Sequence, residues 1–258
     1  MAPRIIRTNR ELFTDYHLLG PGDIVAVRVR MRAGEEYLLT DLLSRGVVLV
    51  PSALSQALSR SKAMQARILG KFMVPGTTVV HAPHDLMEVI TAYGREKVGE
   101  VICKLDRANG GMGILRFASV EDIYNQVVTN SLPLPFIIQP YLADCMDYRV
   151  VLLGDTVDAY QRHNPHNFRH NLHCGGIGRA VSLSGEQLRL CREIMARGDF
   201  PYAHLDLLIT PQGESMLSEI NLRGGLRGSP NLTQKDYLEK TSLIHESLIL
   251  ARTEEGSR

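Results

Sequence analysis

The sequence has no tryptophan, and aromatic residues make up only 6% of its 258 positions. Base stacking, which many proteins use to hold single-stranded nucleic acid, therefore has few side chains available. Neither sign of charge is in excess, since 29 Lys and Arg residues stand against 28 Asp and Glu, a formal net charge of +1. A near-neutral chain has no overall field that attracts nucleic acid or an anionic membrane. We therefore expect neither as a partner.

The sequence contains only four cysteines, which are far apart and form no CxxC pair: Cys103, Cys145, Cys174 and Cys191. Scattered thiols of this kind are typical of a reduced intracellular protein. No stretch approaches the roughly 18–20 apolar residues that cross a bilayer, and the N-terminus has no signal-peptide run. A cytoplasmic protein is therefore expected, and its 44% apolar residues are enough for a sizeable core.

Strands and helices alternate at first along the sequence and then give way to hairpins, which indicates an α+β, or mixed α/β, class. The first 50 residues contain a short β-α-β unit, with strands at 24–30 and 47–51 around a helix at 35–45. Other helices are predicted at 54–69, 85–93 and 234–251 and after capping boxes at Ser119 and Ser184. Other strands are predicted at 77–81, 100–105, 114–117, 136–142, 147–153, 156–163, 204–210 and 215–221.

Two of these strands carry oxygen-bearing side chains that a hairpin would bring together. Glu219 and Asn221 are two residues apart and share a face of their strand, and a turn at 211–214 would place Asp206 opposite them. Two carboxylates and a carboxamide are hard oxygen donors, which suit Mg²⁺ or Mn²⁺. The alternative is the solvent-facing polar side of an ordinary hairpin.

A lysine and a glycine-rich loop form a second candidate. Lys104 lies near the end of an apolar strand, and the loop DRANGGMG follows it, with Gly110, Gly111 and Gly113. Glycines let backbone N–H groups approach phosphates closely, so this segment could cradle a phosphate and act as a lid. It is neither a Walker A motif nor a dinucleotide GxGxxG. The alternative is a hairpin turn with a solvated lysine.

Basic side chains are concentrated in a third segment, residues 147–179, which contains Arg149, Arg162, Arg169, Arg179, His163, His166, His170 and His173. Such local positive charge in a near-neutral protein indicates a site for a polyanion. The histidine spacing, together with Cys174, also fits a zinc cluster. A solvated basic loop is the remaining alternative.

Taken in this order, the three segments resemble the ATP-grasp superfamily, most of all the RimK-like branch that contains the ribosomal-protein glutamate ligase. The resemblance runs from about Ser59 to Gly228. It rests on the strings ICKLDRANGGMGIL, IIQPYLADCMDYRVVLLGDTVDAYQR, FRHNLHCGG and AHLDLLITPQGESMLSEINLRGG. A strand lysine with a glycine loop, D-x-R, N-x-x-x-G-G and D…E-x-N are specific in combination, whereas any one of them alone is not.

The resemblance implies an ATP-grasp fold, in which two α+β subdomains grip ATP. Residues 1–55 would then form a truncated N-terminal pre-grasp β-α-β unit, and residues 56–252 the ATP-grasp domain. That domain would divide into a smaller lid subdomain, about 56–138, and a larger C-terminal subdomain, 139–252. A frayed tail is expected at 253–258.

The resemblance also implies roles for individual side chains. ATP would be bound by Lys62, Lys104, Gly110, Gly111, Gly113, Gln139, Tyr141, Leu142 and Asp147. The triphosphate and an acyl-phosphate would be lined by the catalytic residues Arg149, Arg162 and Asn171. Magnesium or manganese would be held by Asp206, Glu219 and Asn221.

Ligases of this superfamily transfer the γ-phosphoryl group of ATP to a carboxylate, and an amine then displaces phosphate. The resemblance therefore implies an ATP- and Mg²⁺-dependent carboxylate–amine ligase of the acid–amino-acid type. Its substrates would be a small-molecule or peptide carboxylate and an amine. Two alternatives stay open at this point, a phosphotransferase (small-molecule kinase) on the same fold and a non-catalytic ATP-binding module.

The predicted N-terminal region is short, about 50–60 residues, compared with that of most relatives. A homo-oligomer, a dimer or a tetramer, is expected, and a partner subunit could replace the short region. Arg223 and Arg227, in the loop LRGGLRG, either recognise an acidic substrate or are solvated. The sequence assigns no role to Cys174 or to the histidines near it.

Overall fold

Three β-sheets organise the chain, which a computed structural model describes over residues 3–108 and 110–255. The expected α+β, or mixed α/β, class is confirmed, because helices flank one parallel and two antiparallel sheets. Over those residues no helix is both long and apolar enough to cross a membrane. Asn109 of the predicted glycine loop and residues 256–258 of the predicted tail lie outside the described residues.

The N-terminal unit, residues 3–50, is built on a parallel sheet of three very short strands, β1 (Ile5–Ile6), β2 (Ile24–Val25) and β3 (Val48–Leu49). Its helices are α1 (Asn9–Asp15), a 3₁₀ turn (Tyr16–Leu18) and α2 (Tyr37–Ser44). A capping box between Thr8 and Glu11 begins α1. The sequence did not predict β1 and α1, which precede the expected β-α-β unit.

The strand predicted at 24–30 is wrong beyond its second residue. The Ala26 N–H still donates to the Ile6 carbonyl of β1 at 2.7 Å, but from Arg28 onward the backbone bonds to side chains rather than to a strand. The Val29 N–H donates to the Gln56 Oε1 atom at 2.8 Å, and the Asn9 side chain donates to the Arg28 carbonyl at 3.1 Å. Residues 28–31 are therefore held by side chains rather than by a neighbouring strand.

The helix predicted at 54–69 is two helices, α3 (Ala53–Leu58) and α4 (Lys62–Leu69). Ser61 separates them, because its hydroxyl accepts a bond from the Met64 N–H and caps a new helix. The Asp106 carboxylate also accepts a bond from the Ala63 N–H at 3.1 Å. The break therefore creates a helix N-terminus beside the loop that follows Leu105. A 3₁₀ turn (Gly70–Phe72) ends this stretch.

The smaller antiparallel sheet has the order β4-β7-β5-β6. Its strands are β4 (Thr78–Val80), β5 (Val101–Leu105), β6 (Ile114–Phe117) and β7 (Phe136–Pro140). Its helices are α5 (Asp85–Glu96) and α6 (Val120–Val128). The Ser119 capping box at the start of α6 is confirmed. Buried residues of both helices pack against the strands in one apolar core, which includes Leu86, Ile123 and Phe136.

The larger antiparallel sheet has the order β10-β9-β8-β11-β12. Its strands are β8 (Met146–Leu153), β9 (Thr156–His163), β10 (Ile177–Ala180), β11 (Tyr202–Ile209) and β12 (Ser215–Asn221). A 3₁₀ turn (Leu172–Cys174), α7 (Gly185–Gly198) and α8 (Gln234–Glu255) complete the region. The Ser184 capping box is confirmed, whereas β10 was not predicted because its four residues are mostly exposed. Helix α8 continues to Glu255, so residues 253–255 of the expected tail are helical.

One large apolar core lies beneath the larger sheet, and helices α3, α4, α7 and α8 contribute to it. Leu58 of α3, Leu69 of α4, Ile194 of α7 and Leu205 of β11 are all fully buried there. The N-terminal unit has its own cluster around Leu12 and Leu42.

Candidate active site

Two adjoining cavities, of about 490 Å³ and 460 Å³, lie between the smaller and the larger antiparallel sheets. They share part of their walls, formed by Lys104, Ile114, Asp147, Asn171 and Ser218. We call the larger one, ten of whose 24 lining residues have charged side chains, the charged cavity. The smaller one, which contains Gln139, Tyr141 and Leu142, is called the linker cavity.

The hairpin of β11 and β12 brings the predicted oxygen donors to one wall of the charged cavity. Asp206 pairs directly with Glu219, and Asn221 lies opposite His204 in the same ladder. The Asn221 side-chain amide donates to the Glu219 Oε1 atom at 2.9 Å. Strand alternation and the turn at residues 211–214 therefore place the three side chains as expected, and all three line this cavity.

Two arginines from the neighbouring strands surround Asp206. Arg149 of β8 holds the carboxylate through both its Nε and Nη2 atoms, the latter at 3.1 Å. Arg162 of β9 bridges two carboxylates, with its Nη2 atom 3.0 Å from Asp206 and its Nε atom 2.6 Å from Asp147. Burial opposes the charged carboxylate of Asp206, but the two guanidinium groups outweigh it and lower its pKa to about 2. Asp206 is therefore an anion at neutral pH.

Two lysines approach the same hairpin from the other side of the cavity. The Lys62 Nζ atom, on the first turn of α4, lies 3.3 Å from Glu219 and donates to the Ala108 carbonyl at 2.6 Å. Lys104 of β5 donates to the Ser218 hydroxyl at 3.0 Å. Burial lowers the pKa of Lys104 to about 8, and the nearby Glu219 carboxylate only partly offsets it. Both predicted lysines therefore lie beside the candidate metal ligands.

The glycine loop closes against the basic segment across the charged cavity. Gly110 and Gly111 have φ angles of 69° and 80°, which only glycine adopts at low cost. A side chain at Gly111 would lie 3.2 Å from the Asn171 side chain and 3.3 Å from Cys174 Sγ. Gly113 lines neither cavity. Its carbonyl instead accepts a bond from the Leu105 N–H at 2.8 Å and closes the hairpin.

The linker cavity contains an unusual buried acceptor. Gln139 on β7 is only 3% exposed, and its Oε1 atom has no hydrogen-bond partner among the described residues. Tyr141 and Leu142 follow it on the same wall. A buried polar atom without a partner costs free energy, so this oxygen is a strong candidate for a bond to a ligand.

The histidines of the basic segment do not assemble a zinc site. His163 and His170 stack with their ring centroids 5.7 Å apart, and burial lowers the pKa of His170. Within residues 3–108 and 110–255, no three His, Cys, Asp or Glu side chains are grouped so that they could hold a metal ion. The segment is instead braced by Asn164, whose side chain donates to the Cys174 carbonyl at 2.7 Å. The zinc alternative is therefore not supported.

Three residues of the site were missed by sequence reasoning. Gln65 of α4 bonds to both the N–H and the carbonyl of Ile220, which fixes β12 between its two ligand-bearing positions. Ser218 orients Lys104, and Arg28 of the N-terminal unit lines the charged cavity. A polar residue on an apolar helix was a weak signal for Gln65. The alternation of Arg28 with valines gave no indication of what it faces.

Comparison with known proteins places this geometry in a family. The family model of the RimK-like ATP-grasp domain matches residues 57–241. A probable alpha-L-glutamate ligase of Shewanella sp. (strain MR-4) is 26% identical over 215 residues, which cover 80% of this chain and 70% of that protein. A probable alpha-L-glutamate ligase of Coxiella burnetii (strain RSA 493 / Nine Mile phase I) is 26% identical over 199 residues, 74% of this chain and 64% of its own length.

Solved structures with the same fold agree with the family model. A RiPP-associated ATP-grasp ligase of Chryseobacterium gregarium, in complex with ADP and a leader and core peptide, has a TM-score of 0.56 at 20% identity. That match covers 83% of this chain and 66% of the other. The D-cycloserine synthetase DcsG has a TM-score of 0.60 at 16% identity, over 83% and 78% of the two chains. Because the fold is shared and the family model matches more than half of the sequence, this chain belongs to the RimK-like ATP-grasp family.

Proposed function

We propose that this protein is an ATP- and Mg²⁺-dependent ligase that joins a carboxylate to an amine through an acyl-phosphate. One observation carries the proposal: the Asp206, Glu219 and Asn221 hairpin faces Lys104 and the glycine loop across a single charged cavity. Family membership and the glutamate ligase relatives support ATP-dependent carboxylate–amine ligation. They do not favour the kinase or the non-catalytic alternative.

The side chains on the hairpin suit a magnesium or manganese ion. Asp206 and Glu219 are directly paired across the ladder, and Asn221 adds a carbonyl oxygen. Arg149, Arg162 and Lys62 hold those charges in the described structure. A divalent ion, when bound, would neutralise charge on phosphate oxygens. The ATP-grasp ligase PsnB, a structural neighbour, has been solved with Mg and ADP.

The linker cavity suits the base of ATP. The unpartnered Gln139 Oε1 atom could accept a hydrogen bond from the 6-amino group of adenine, which is a donor. Tyr141 and Leu142 give this end of the cleft a partly apolar wall. Lys104 lies on the shared wall of both cavities, where it would meet the phosphates. The base and the triphosphate would thus occupy the two cavities in sequence.

The side chains of the charged cavity would stabilise charge as the phosphoryl group moves. In the proposed reaction a substrate carboxylate oxygen bonds to the γ-phosphorus of ATP, and the bond to the ADP oxygen breaks. The amine then attacks the acyl carbon, loses a proton and expels phosphate. Arg149, Arg162 and Asn171 line the cavity where these oxyanions would develop. The glycine loop would exclude water that otherwise hydrolyses the acyl-phosphate.

We also propose the division into an N-terminal unit, residues 1–55, and an ATP-grasp domain, residues 56–252. The family match at residues 57–241 supports that domain. The smaller sheet supports the lid subdomain and the larger sheet supports the C-terminal subdomain. The proposed boundary between residues 138 and 139 lies inside β7, which therefore connects the two.

The test is a screen in which the protein receives Mg·ATP with pooled amino acids and peptides, and the products are analysed by mass spectrometry. We expect ADP and free phosphate in equal amounts. We also expect an amide product whose mass equals the sum of the acid and the amine minus one water. Glu219→Gln should lower ADP formation about 100-fold or more, because a predicted metal ligand is weakened. Glu214→Gln, in the exposed turn before β12, is the matched control and should retain activity.

Two outcomes would contradict the proposal. ADP with a stable phosphoester and no free phosphate would identify a kinase. Near-normal ADP formation by Glu219→Gln, with the fold intact by circular dichroism, would remove Glu219 from the metal site.

A further inference from the structure

Two loops border the charged cavity, and they are held in place in different ways. Gly224, in the loop after β12, packs so closely that a Cβ atom there would lie 2.7 Å from both Arg149 Nη1 and His204 Nδ1. At Gly110, in the glycine loop, a Cβ atom would meet no atom within 4 Å. Both glycines line the charged cavity. The glycine loop is less closely packed at this point, so the polar contacts at its start, residues 106–108, matter for where it lies.

The residues on either side of Arg107 are anchored to helix α4. The Asp106 carboxylate accepts a bond from the Ala63 N–H at 3.1 Å. The Ala108 carbonyl accepts a bond from the Lys62 Nζ atom at 2.6 Å. Arg107, between these two anchors, bonds to a different part of the chain.

Arg107 connects the glycine loop to the N-terminal unit. Its Nη1 atom donates to the Glu36 Oε1 atom at 2.6 Å, and the two side chains are 38% and 26% exposed. Burial opposes the charged form of Glu36, but the bond from Arg107 and the positive charges of Arg107 and Arg60 outweigh it, so the pKa of Glu36 lies below its ordinary value. The same bond raises the pKa of Arg107. The pair is therefore ionised at neutral pH and has one partner on each side of the contact.

Two local features of this ion pair do not favour the segments that contain it. Glu36 is the N-cap residue of α2, yet its side chain makes no capping bond. Arg107 has a φ angle of 60°, which costs free energy in a residue other than glycine. Such a conformation persists where the surroundings impose it, and it is concentrated at functional sites. The contact therefore has a better explanation in the position of the glycine loop than in the stability of α2 or of the loop alone.

The ion pair acts from outside the site. Neither Glu36 nor Arg107 lines the charged cavity or the linker cavity, whereas Ala108, Gly110 and Gly111 line the charged cavity. We propose that Glu36 is a positioning residue, which acts through Arg107 to hold the glycine loop over the triphosphate. Glu36 precedes the family match, which begins at residue 57, so the N-terminal unit would contribute to nucleotide binding from outside the matched domain. This inference rests on the proposed function, in which the loop covers the triphosphate.

The first measurement is the Kd of the full chain for Mg²⁺ and AMP-PNP, a non-hydrolysable ATP analogue, by calorimetry. Glu36→Arg places two guanidinium groups together and should raise this Kd at least tenfold, because like charges push the loop out of position. The exchanged protein, Glu36→Arg with Arg107→Glu, restores an ion pair and should return the Kd to within about threefold of the wild type. Recovery in the exchanged protein separates the ion pair from any other effect of a substitution at position 36.

The second measurement needs no nucleotide. Trypsin cleaves after Arg107 when the guanidinium group and the backbone around it are free, so cleavage reports local opening of the loop. Ligand-free Glu36→Gln should yield a new N-terminus at Ala108 at least threefold faster than the wild type, as followed by mass spectrometry. Glu246→Gln is the matched control, because it removes another ion pair of the N-terminal unit, that of Arg7 with α8. It should leave both the Kd and the cleavage rate as in the wild type.

An unchanged cleavage rate at Arg107 in Glu36→Gln overturns the inference, as does an exchanged protein that binds AMP-PNP as weakly as Glu36→Arg. Equal effects in Glu246→Gln also overturn it, because docking of the N-terminal unit as a whole would then be the cause. Failure of the proposed function is seen separately. The wild type would then bind no AMP-PNP or form no amide product in the substrate screen, while the cleavage rate still reports how Glu36 holds the loop.

Discussion

At the scale of single residues, the carboxylates of the candidate metal hairpin are paired with basic side chains before any ligand enters the charged cavity. The candidate metal ligand Asp206 is held by Arg149 and Arg162, and Glu219 lies beside Lys62. These pairs keep buried charges from being left alone, which would cost several kcal/mol. A nucleotide with its ion would exchange these partners rather than fill a neutral pocket. Lys104 donates instead to two neutral groups, the hydroxyl and the carbonyl of Ser218.

The Lys104→Met variant should separate stability from nucleotide binding. Burial lowers the pKa of Lys104 to about 8, so the folded state disfavours its charge, and this penalty is present at pH 7 and disappears as the pH rises through about 10.5. Replacement by Met should raise the free energy of unfolding at pH 7 by about 1–3 kcal/mol. It should also weaken ATP binding at least tenfold, because a cation beside the phosphates is lost.

Urea unfolding and ATP titration measure these two effects, and Lys235→Met, on the exposed face of α8, is the control that should change neither. A variant that binds ATP as the wild type does would contradict the role of Lys104. A loss of stability would contradict the electrostatic explanation.

The position of a side chain could be predicted from the sequence where it depends only on nearby residues. The placement of Asp206, Glu219 and Asn221 on one cavity wall could be predicted because side chains alternate along a strand and a short turn sets the pairing of a hairpin. Gln65 could not be found in this way, since it bonds to Ile220, which is 155 positions away. Such a contact depends on how a helix packs across a sheet, and one sequence does not contain that information.

At the scale of elements, the same division between local and distant signals holds. The capping boxes at Ser119 and Ser184 begin helices as predicted, because both partners lie within four residues. The interruption at Ser61 was missed, since apolar spacing continues across it and the cap was not recognised. Strand β10 was missed because most of its residues are exposed and it pairs only with the edge of β9.

Substitutions at two glycines of the loop after β5 test whether this loop acts as a lid over the charged cavity. Both have positive φ angles, but a methyl group at Gly110 meets no atom within 4 Å, whereas one at Gly111 meets Asn171 and Cys174. Gly110→Ala adds only backbone strain, about 1–2 kcal/mol. Gly111→Ala also pushes the loop away from the basic segment, so it should lower kcat/KM for ATP tenfold or more, and by more than Gly110→Ala does.

Steady-state ADP release measures the difference, with the melting temperature as a check on folding. Gly99→Ala is the control, because an added Cβ there meets no atom within 4 Å. Equal losses in Gly110→Ala and Gly111→Ala would mean that contact with Asn171 and Cys174 does not matter for the lid.

At the scale of the whole molecule, the N-terminal unit is joined to the rest of the chain by polar contacts. Arg7 forms an ion pair with Glu246 of α8, and Arg107, after β5, donates to Glu36 at 2.6 Å. His245 of α8 bonds to the backbone of Ala26 in the N-terminal unit and also shares a hydrogen bond of 2.9 Å with the Tyr202 hydroxyl of β11. The sequence indicated a small unit at this end but not where it docks. The partners are more than 40 residues apart, and no local pattern pairs them.

The buried position of His245 leads to a prediction about how the free energy of unfolding depends on pH. Burial lowers the pKa of His245, and the neighbouring Ala26 backbone and the Glu246 carboxylate only partly offset this. The unfolded chain therefore takes up a proton at higher pH than the folded one, so stability present above about pH 6.5 is lost as the pH falls below it. His245→Gln should make the free energy of unfolding fall less between pH 7 and pH 5.

Urea unfolding at several pH values measures this slope, and His81→Gln, at an exposed position, should leave it as in the wild type. An unchanged slope in His245→Gln would show that other groups cause the loss of stability in acid.

The close packing of Gly224 on Arg149 and His204 also bears on directed evolution of this protein. A library that randomises the whole loop after β12 would include many destabilised clones, because a Cβ at position 224 would lie 2.7 Å from the Arg149 and His204 side chains and because Leu226 packs against the core. Arg223 and Arg227 are exposed, and an added Cβ at Gly225 meets no atom within 4 Å. Three codons are therefore free to vary, so a library of about 8,000 protein variants would cover every combination on a fixed backbone.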